Sequence, residues 1–474
     1  MKICLVTPPS PFLLDQRVFV SLGILKVGAA LEQAGITVDH LDLTGVANYE
    51  DVAKDYQGSK TFAITATTPQ IPAAVKVRRV LPTDSKTILG GPHATLVHAA
   101  AKRGNGRARK ALEELLNEFD VVVAGDGEKA IFEAIHTRGL VDADDPKSVL
   151  WQTSKDFTES PWPARHLIDM DSYHYTIDGE RAAHVVGQLG CPMKCTFCSG
   201  RNSPMLRQIR LRTPENIIAE AMHLYTTYGF KGINYFDDEL NINREMLTLM
   251  RGMRDKAKSI GIEWRLRGFI KSELFTEEQA QAMYEAGFRW ILVGFESGSD
   301  RILTNIQKNA TQAQNSRCME IAHAHGLKVK ALMSLGHAGE SRETSMHTYE
   351  WLLKTKPDDL DVTVITPYPG SPYWDEAIHL SDNKWCYTSQ KTGDRLYMEE
   401  VDFTQTADYY KGVMGSYVSH VWSDYLTPSE LVEQRDWIEL NAKKELGISM
   451  PPSVAAKLYD HSMGMSPQIL RSSL

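Results

Sequence analysis

Three of the chain's six cysteines fall within eight residues, Cys191, Cys195 and Cys198 in the stretch GQLGCPMKCTFCSG. Thiolates so spaced hold soft metals, and their number restricts which. A structural zinc site closes with a fourth ligand. None of Cys4, Cys318 and Cys386 lies in a second CxxC pair, and His174 and His184 precede the motif without finger-like spacing. An iron–sulfur cube held by four thiolates would lack its fourth in the same way. Three thiolates leave one iron open, and an open coordination position distinguishes a catalytic metal from a closed structural one.

A loop of this kind needs a rigid support, and the surrounding sequence supplies one. Strands are expected near 183–189, 231–236, 262–268, 289–295, 327–335 and 359–366, with helices between them. Several helix starts are legible: TPEN (213–216) puts proline at the first helical position, and TEEQ (276–279) and TQAQ (311–314) fit capping boxes. Six strands joined by helices predict a partial parallel barrel, with the cysteines just after its first strand, at the end where barrel active sites lie. Arg265 and Arg267 alternate on one strand, so both can point inward to an anion or form a solvated pair. Arg201, Arg207, Arg210 and Arg212 follow the cysteines and are candidates to hold an anionic substrate, against the plainer reading of exposed charge.

Ahead of the barrel, apolar runs at 2–8, 36–43, 61–66, 86–91 and 119–125 alternate with helical stretches near 21–34, 71–80, 109–118 and 128–137. That pattern predicts a doubly wound parallel sheet, whose ligands bind outside the carboxyl ends of the strands. The loops there, TPPSP (7–11), TATTPQ (65–70), GGPHAT (90–95) and AGDGE (124–128), carry glycines that permit close backbone approach and the hydroxyls of Thr67, Thr68 and Thr95. His93 and His98 are expected on the third of these loops, and the basic run KRGNGRARK (102–110) is read as a solvated helix start. The expected divisions are a first domain at 1–140, a linker at 141–182, the barrel at 183–385 and a mainly helical C-terminal cap at 386–474.

With 474 residues, 42% hydrophobic content and a formal net charge of -8, the chain reads as a soluble multidomain globular protein with no pressure toward nucleic acid. No stretch is long enough to span a bilayer, and the N-terminus lacks the pattern of a secretory signal. A cytoplasmic setting, where thiols stay reduced, is expected.

CxxxCxxC with the aromatic Phe197 before its last cysteine, after the first strand of a (βα)6 barrel, resembles the radical S-adenosylmethionine (SAM) superfamily. The resemblance implies a 4Fe–4S cluster on Cys191, Cys195 and Cys198 whose open iron chelates SAM. It also implies reductive cleavage to methionine and a 5′-deoxyadenosyl radical, with electrons from a flavodoxin- or ferredoxin-type partner. YFDDELNIN (235–243) resembles the position whose acid receives the SAM ammonium. The family more often has Gly-Gly-Glu there, so Asp237, Asp238 and Glu239 all remain candidates. VGFESGSD (293–300) resembles the fourth-strand loop, with Glu296 and Ser297 toward the SAM ribose or carboxylate. SLGHAGES (334–341), with Gly336, and TPYPGSPYW (366–374) resemble the fifth- and sixth-strand loops, the latter near adenine.

The first domain, in ILGGPHATLVH (88–98) and DVVVAGDGEKAI (120–131), resembles the cobalamin-binding subfamily. This implies a corrin held by Thr67, Thr68, Gly90, Gly91, His93, Thr95, Gly125, Gly127 and Glu128. The first loop, SPFLLDQRVF, lacks the Asp-x-His-x-x-Gly of many cobalamin domains, which implies cobalamin without a protein histidine on cobalt. The function implied is methylation of an unactivated carbon of a small molecule. Oxidative cyclisation or ring contraction with the same cofactors is the alternative, and an electron carrier the more distant one. A monomer or weak dimer is expected.

Overall fold

The computed structural model describes residues 1–11, 13, 15–409 and 417–448. Its first sheet has six parallel strands: β1 (Lys2–Thr7), β2 (Thr37–Asp42), β3 (Thr61–Thr65), β4 (Lys86–Gly90), β5 (Val121–Gly125) and β6 (Gly139–Ala143). Their order is β2-β1-β3-β4-β5-β6, so the chain changes winding direction between β1 and β3. A sheet covered by helices on both faces needs strands apolar on both sides, and β5 (VVVAG) is buried throughout. At the change of direction the rims of β1 and β3 are tied together. The Gln70 amide donates to the Pro8 carbonyl at 3.2 Å and to Ser10 Oγ at 2.9 Å.

Two expectations for this sheet are corrected. The sixth strand, GLVDA, lies at the sheet edge with only Val141 and Ala143 buried, too weak an apolar pattern to read, and it carries the sheet past residue 140. His93, Thr95 and His98 stand on a helix, Pro92–Lys102, not on a loop. Gly-Gly-Pro reads as a turn, but its proline occupies the first turn of a helix, where a missing N–H costs nothing.

The second sheet is a curled half-barrel. After β7 (Thr176–Ile177) come β8 (Glu180–Val185) and a short antiparallel pair, β9 (Gln188–Leu189) with β10 (Arg210–Leu211). The remaining barrel strands are β11 (Gly232–Tyr235), β12 (Arg265–Phe269), β13 (Phe288–Glu296), β14 (Lys328–Leu335) and β15 (Asp359–Val364). Apart from β9 and β10, the order is β15-β14-β13-β12-β11-β8-β7, parallel except for β7. Alternate residues such as Ile291, Val293 and Phe295, or Leu360 and Val362, belong to the core shared with the helices. Between them Gly294, Glu296, Asp361 and Thr363 line a cavity on the concave face. The three helix starts read from sequence are present, at Thr213, Thr276 and Thr311.

Six strands do not close a barrel, so β15 offers an open edge whose backbone groups need partners. The C-terminal part of the chain provides them. Glu439 accepts from the Val362 N–H at 3.1 Å and Arg435 donates to the Val362 carbonyl at 3.0 Å. The Tyr417 hydroxyl serves Val364 in both directions, at 3.2 and 2.9 Å. Both charged residues come from the Pro428–Glu445 helix, which opens on a Thr427–Glu430 capping box. The expected mainly helical cap is met only there. Ahead of this helix β16 (Ile378–Ser381), β17 (Lys384–Thr388), β18 (Arg395–Glu399) and β19 (Val421–Ser423) form an antiparallel sheet. These strands are short and β16 is exposed along its length, so only β18, with Leu396 and Met398 buried, carries an alternation. Residues 410–416 and 449–474 of the expected cap lie outside the described residues. No described helix is long and apolar enough to cross a membrane.

The basic run expected to be solvated contains a buried staple. The Arg107 guanidinium lies 4.0 Å from the ring centres of both Trp374 and Trp385 and pairs with Glu400 at 2.7 Å, fastening the first domain to the part of the chain that follows β15. Two of the four arginines after the cysteines are likewise structural. Arg210 pairs with Asp126 of the first domain, and Arg212 shares the buried Glu220 with Arg165 at 2.5 and 2.7 Å. Arg201 and Arg207 donate to the carbonyls of Lys194 and Pro192. The charges of Arg210 and Arg212 are spent on buried carboxylates, which overturns the anionic-substrate reading for those two. Arg267 donates to the Tyr175 hydroxyl at 2.9 Å while Arg265 pairs with the exposed Glu263, so no shared anion site faces them.

Candidate functional site

The cysteine loop is closed at its base by β9 and β10. A side chain at Gly190 would begin 2.1 Å from the Gln208 carbonyl oxygen, and its φ of +89° lies where side chains rarely go. Two acids at the end of β11 fix the strand that enters the loop: Asp237 accepts from the Gly187 N–H at 2.6 Å and Asp238 from the Gly190 N–H at 2.8 Å. Within the loop, Cys191 N–H bonds to Leu206 O and Thr196 N–H to Ile306 O, both at 2.9 Å. Burial, with the Cys195 sulfur as a smaller cause, pushes the Cys191 thiol up to about 11 and Cys198 to about 12, and burial raises Cys195 as well. Among the described residues no three His, Cys, Asp or Glu side chains are gathered as a single-ion site requires. Cys195 is the most enclosed of the three, while Cys198 is exposed to a cavity that it lines. His184 packs among the rings of Phe19, Tyr175 and Phe236, and His174 bonds to Asp15.

That leaves Glu239 as the acid of the three that opens onto the concave cavity, a space of ≈ 290 Å³. Its Oε2 is buried without a hydrogen-bond partner, and burial pushes its carboxyl up to about 7. Opposite it stands Glu296, at the end of β13. The β13–β14 register shifts between Gly294 and Glu296, and Glu296 takes a φ of +65°. Such a conformation costs about 1 kcal/mol for a residue with a side chain and persists only when its surroundings fix it. Here they do: Lys308 Nζ donates to Oε1 at 3.1 Å and Ser334 Oγ to Oε2 at 2.8 Å. Gly294 makes room, since a Cβ there would lie 2.7 Å from Glu296 Oε1. Burial raises the Glu296 carboxyl, but Lys308 and Ser334 outweigh it and hold it below the usual range. Lys308 is buried beside Glu296, Cys195 and Glu239, and their negative charge keeps it protonated against the cost of burial.

Ser297 and Gly336 are not turned to ligand. Ser297 bonds to Thr348 and Ser299, and a Cβ at Gly336 would press on Val364 and Val421. Lys308 escaped the sequence reading, and within SLGHAGES (334–341) it was Gly336 that was singled out and not Ser334 or His337. Lys308 sits in a short turn between two helices, where a lysine reads as solvated, and the serine and histidine reach the site only through the fold.

A second cavity of ≈ 400 Å³ adjoins the cysteines, lined by Phe197, Cys198, Glu296, Ser334 and the strand end at 363–368. Tyr368, Tyr373, Tyr409 and Tyr417 give it an aromatic wall. Phe403 joins this wall to the first domain, its ring 5.5 Å from Tyr409, 5.6 Å from Tyr368 and 6.0 Å from His93.

On the first domain's rim most of the singled-out residues hold the loops together. A Cβ at Gly91 would meet the Ala66 backbone at 2.9 Å, one at Gly125 the Ala143 backbone at 2.4 Å, and one at Gly127 the Val27 side chain at 2.7 Å. These glycines serve packing within the domain, which corrects the reading of them as ligand clearance; Gly90 alone of the four faces open space. Thr95 bonds to Gly91 O and Gly125 N, Thr68 to His93 Nδ1, and Thr67 caps the turn at Gln70 while remaining exposed. Glu128 lies in the first turn of the Gly127–Ala134 helix. His40 bonds to Thr7 through Nε2, and His98 Nε2 lies 3.1 Å from Asp142.

Comparison with known proteins agrees with this layout. Residues 185–352 match the family model of the radical SAM superfamily. An uncharacterised methyltransferase of Pyrococcus horikoshii is 28% identical over 399 residues, covering 80% of this chain and 83% of that protein. The anaerobic magnesium-protoporphyrin IX monomethyl ester cyclase of Cereibacter sphaeroides is 26% identical over 375 residues, covering 73% of this chain but 58% of the relative. Among solved structures, the radical S-adenosylmethionine methyltransferase TsrM from Kitasatospora setae, with cobalamin and a 4Fe–4S cluster bound, aligns with a TM-score of 0.64 at 15% identity over 95% of this chain and 91% of that one. That similarity extends the shared fold across the first sheet as well as the half-barrel. The cysteine loop at the carboxyl end of the first parallel strand and the family match over the strands that follow identify residues 185–352 as a radical SAM domain.

Proposed function

We propose that this protein is a cobalamin-dependent radical SAM enzyme that methylates an unactivated carbon of a small molecule. The observation that carries the reading is the meeting, at one end of the half-barrel, of three cysteines, an acid with an unsatisfied oxygen and a buried lysine–carboxylate pair. SAM is a zwitterion with a sugar and a purine, and the site offers a counterpart to each part. Glu239 suits the ammonium, Lys308 the carboxylate, Glu296 the ribose hydroxyls, and Phe197 with the 363–368 strand end the adenine.

The cysteine sulfurs fit a cluster spread over several irons, with Lys308 beside Cys195 to balance its negative charge. When bound, the cluster supplies the electron that splits a sulfur–carbon bond of SAM, and cobalamin supplies the methyl group. The protein's part is to hold these cofactors, exclude water and oxygen, and aim the substrate. The rim at Thr67 and Gly90 suits a corrin, and the first loop's lack of an Asp-x-His-x-x-Gly motif supports a cobalamin that would be held without a protein histidine on cobalt. We place the protein in the cytoplasm with a flavodoxin- or ferredoxin-type electron donor, because its thiols must stay reduced. The substrate is expected between the aromatic wall and the first domain.

Reconstitution with hydroxocobalamin tests the cobalamin reading. The protein is expected to retain one corrin, and its Co(II) resonance to lack nitrogen superhyperfine splitting from histidine. No retained cobalamin would overturn the first-domain assignment, and histidine splitting would overturn the mode of binding. A second reading, oxidative cyclisation, draws support from the likeness to the C. sphaeroides cyclase. It becomes the better one if methylcobalamin is never consumed during turnover with substrate.

A further inference from the structure

Glu296 is fixed by more than its two direct partners. Behind Ser334 lies a buried chain of side chains: Ser334 Oγ stands 2.8 Å from His337 Nε2, and His337 Nδ1 stands 3.3 Å from the Tyr373 hydroxyl. His337 and Tyr373 are fully buried. Tyr373 is anchored in turn to the cysteine loop, its N–H donating to the Thr196 carbonyl at 3.2 Å, and the His337 ring meets the Phe197 ring edge-on at 5.5 Å.

The donor inventory allows this chain one direction. Glu296, ionised against Lys308, can only accept, so the single Ser334 proton points at it. Ser334 Oγ must then accept from His337, which places the imidazole proton on Nε2. Burial pushes the His337 pKa down to about 4, so the ring is neutral and has no second proton. Nδ1 therefore accepts from the Tyr373 O–H. Every proton is assigned, from Tyr373 through His337 and Ser334 to Glu296.

We propose that His337 is a positioning residue for SAM, locking the Ser334 hydroxyl onto Glu296 and so coupling the acid's orientation to the cysteine loop through Tyr373 and Phe197. The proposal rests on Glu296 facing SAM. Without the Nε2–H, Ser334 is free to rotate and Glu296, already in an unfavourable backbone conformation, keeps Lys308 alone.

The test uses anaerobically reconstituted full-length protein, measuring iron content, the SAM dissociation constant and the change that SAM induces in the reduced cluster's resonance. His337→Phe keeps a flat ring against Phe197 and removes the donor. It is expected to retain wild-type iron, bind SAM about tenfold more weakly and show a diminished resonance change. Ser334→Ala should do the same, and His337→Gln, whose amide N–H can stand where Nε2–H stood, should recover most of the affinity. Wild-type SAM affinity in His337→Phe overturns the proposal. So does His337→Gln as weak as His337→Phe, since the effect would then be one of packing. A weakened Glu296→Gln beside an unaffected His337→Phe removes the relay but leaves the SAM site; an unaffected Glu296→Gln removes the SAM assignment itself.

Discussion

Replacing Cys191, Cys195 and Cys198 together by alanine should abolish the brown iron–sulfur absorbance and the bound iron, while alanine at Cys4, Cys318 and Cys386 should leave both in place. The contrast follows from where the sulfurs lie. Cys4 is sealed in the first sheet's core, Cys318 in the helix Gln312–Ala324 and Cys386 in β17, and the thiols of Cys4 and Cys386 donate to neighbouring backbone carbonyls. The first three share one closed loop, and the Cys195 sulfur raises the thiols of Cys191 and Cys198, as a neighbouring thiol does. Iron and sulfide analysis after anaerobic reconstitution reads the result. Full iron in the triple variant would end the cluster assignment.

The second large effect is expected on SAM binding. Glu239→Gln and Lys308→Met should each weaken SAM by about tenfold to a hundredfold, the loss of a charge-assisted hydrogen bond in a buried site, with iron content unchanged. Asp238→Asn should behave differently. Its carboxylate bonds to Gly190 at the mouth of the cysteine loop, so the loss should appear first as poorer cluster retention. Equilibrium binding of SAM to reconstituted variants separates the two outcomes. Equal SAM affinity in wild type and Glu239→Gln would give this acid a structural role.

The sequence made the supports legible and left the fine geometry dark, for physical reasons. Barrel strands were readable because one face of each is apolar against the helices, as in Ile291, Val293 and Phe295. The cysteines were readable because three ligands from one loop leave a local spacing. Edge strands were not: β6 and β16 bury little, so tertiary pairing and not pattern creates them. Glu296 was found by its place at a strand end, but its bulge and positive φ depend on Lys308, from a turn between helices, and Ser334, from β14. The same holds for Arg107. A basic run signals solvent until a fold brings Trp374 and Trp385 to either side of one guanidinium. Among the three acids at 237–239, local sequence could not choose. The backbone N–H groups of Gly187 and Gly190 engage two of them and leave Glu239 to the cavity.

The most direct measurement is the fate of SAM. Anaerobically reconstituted protein with dithionite and SAM should yield 5′-deoxyadenosine and methionine, and the triple cysteine variant neither. SAM recovered intact from protein that holds its full complement of iron would contradict reductive cleavage at this site.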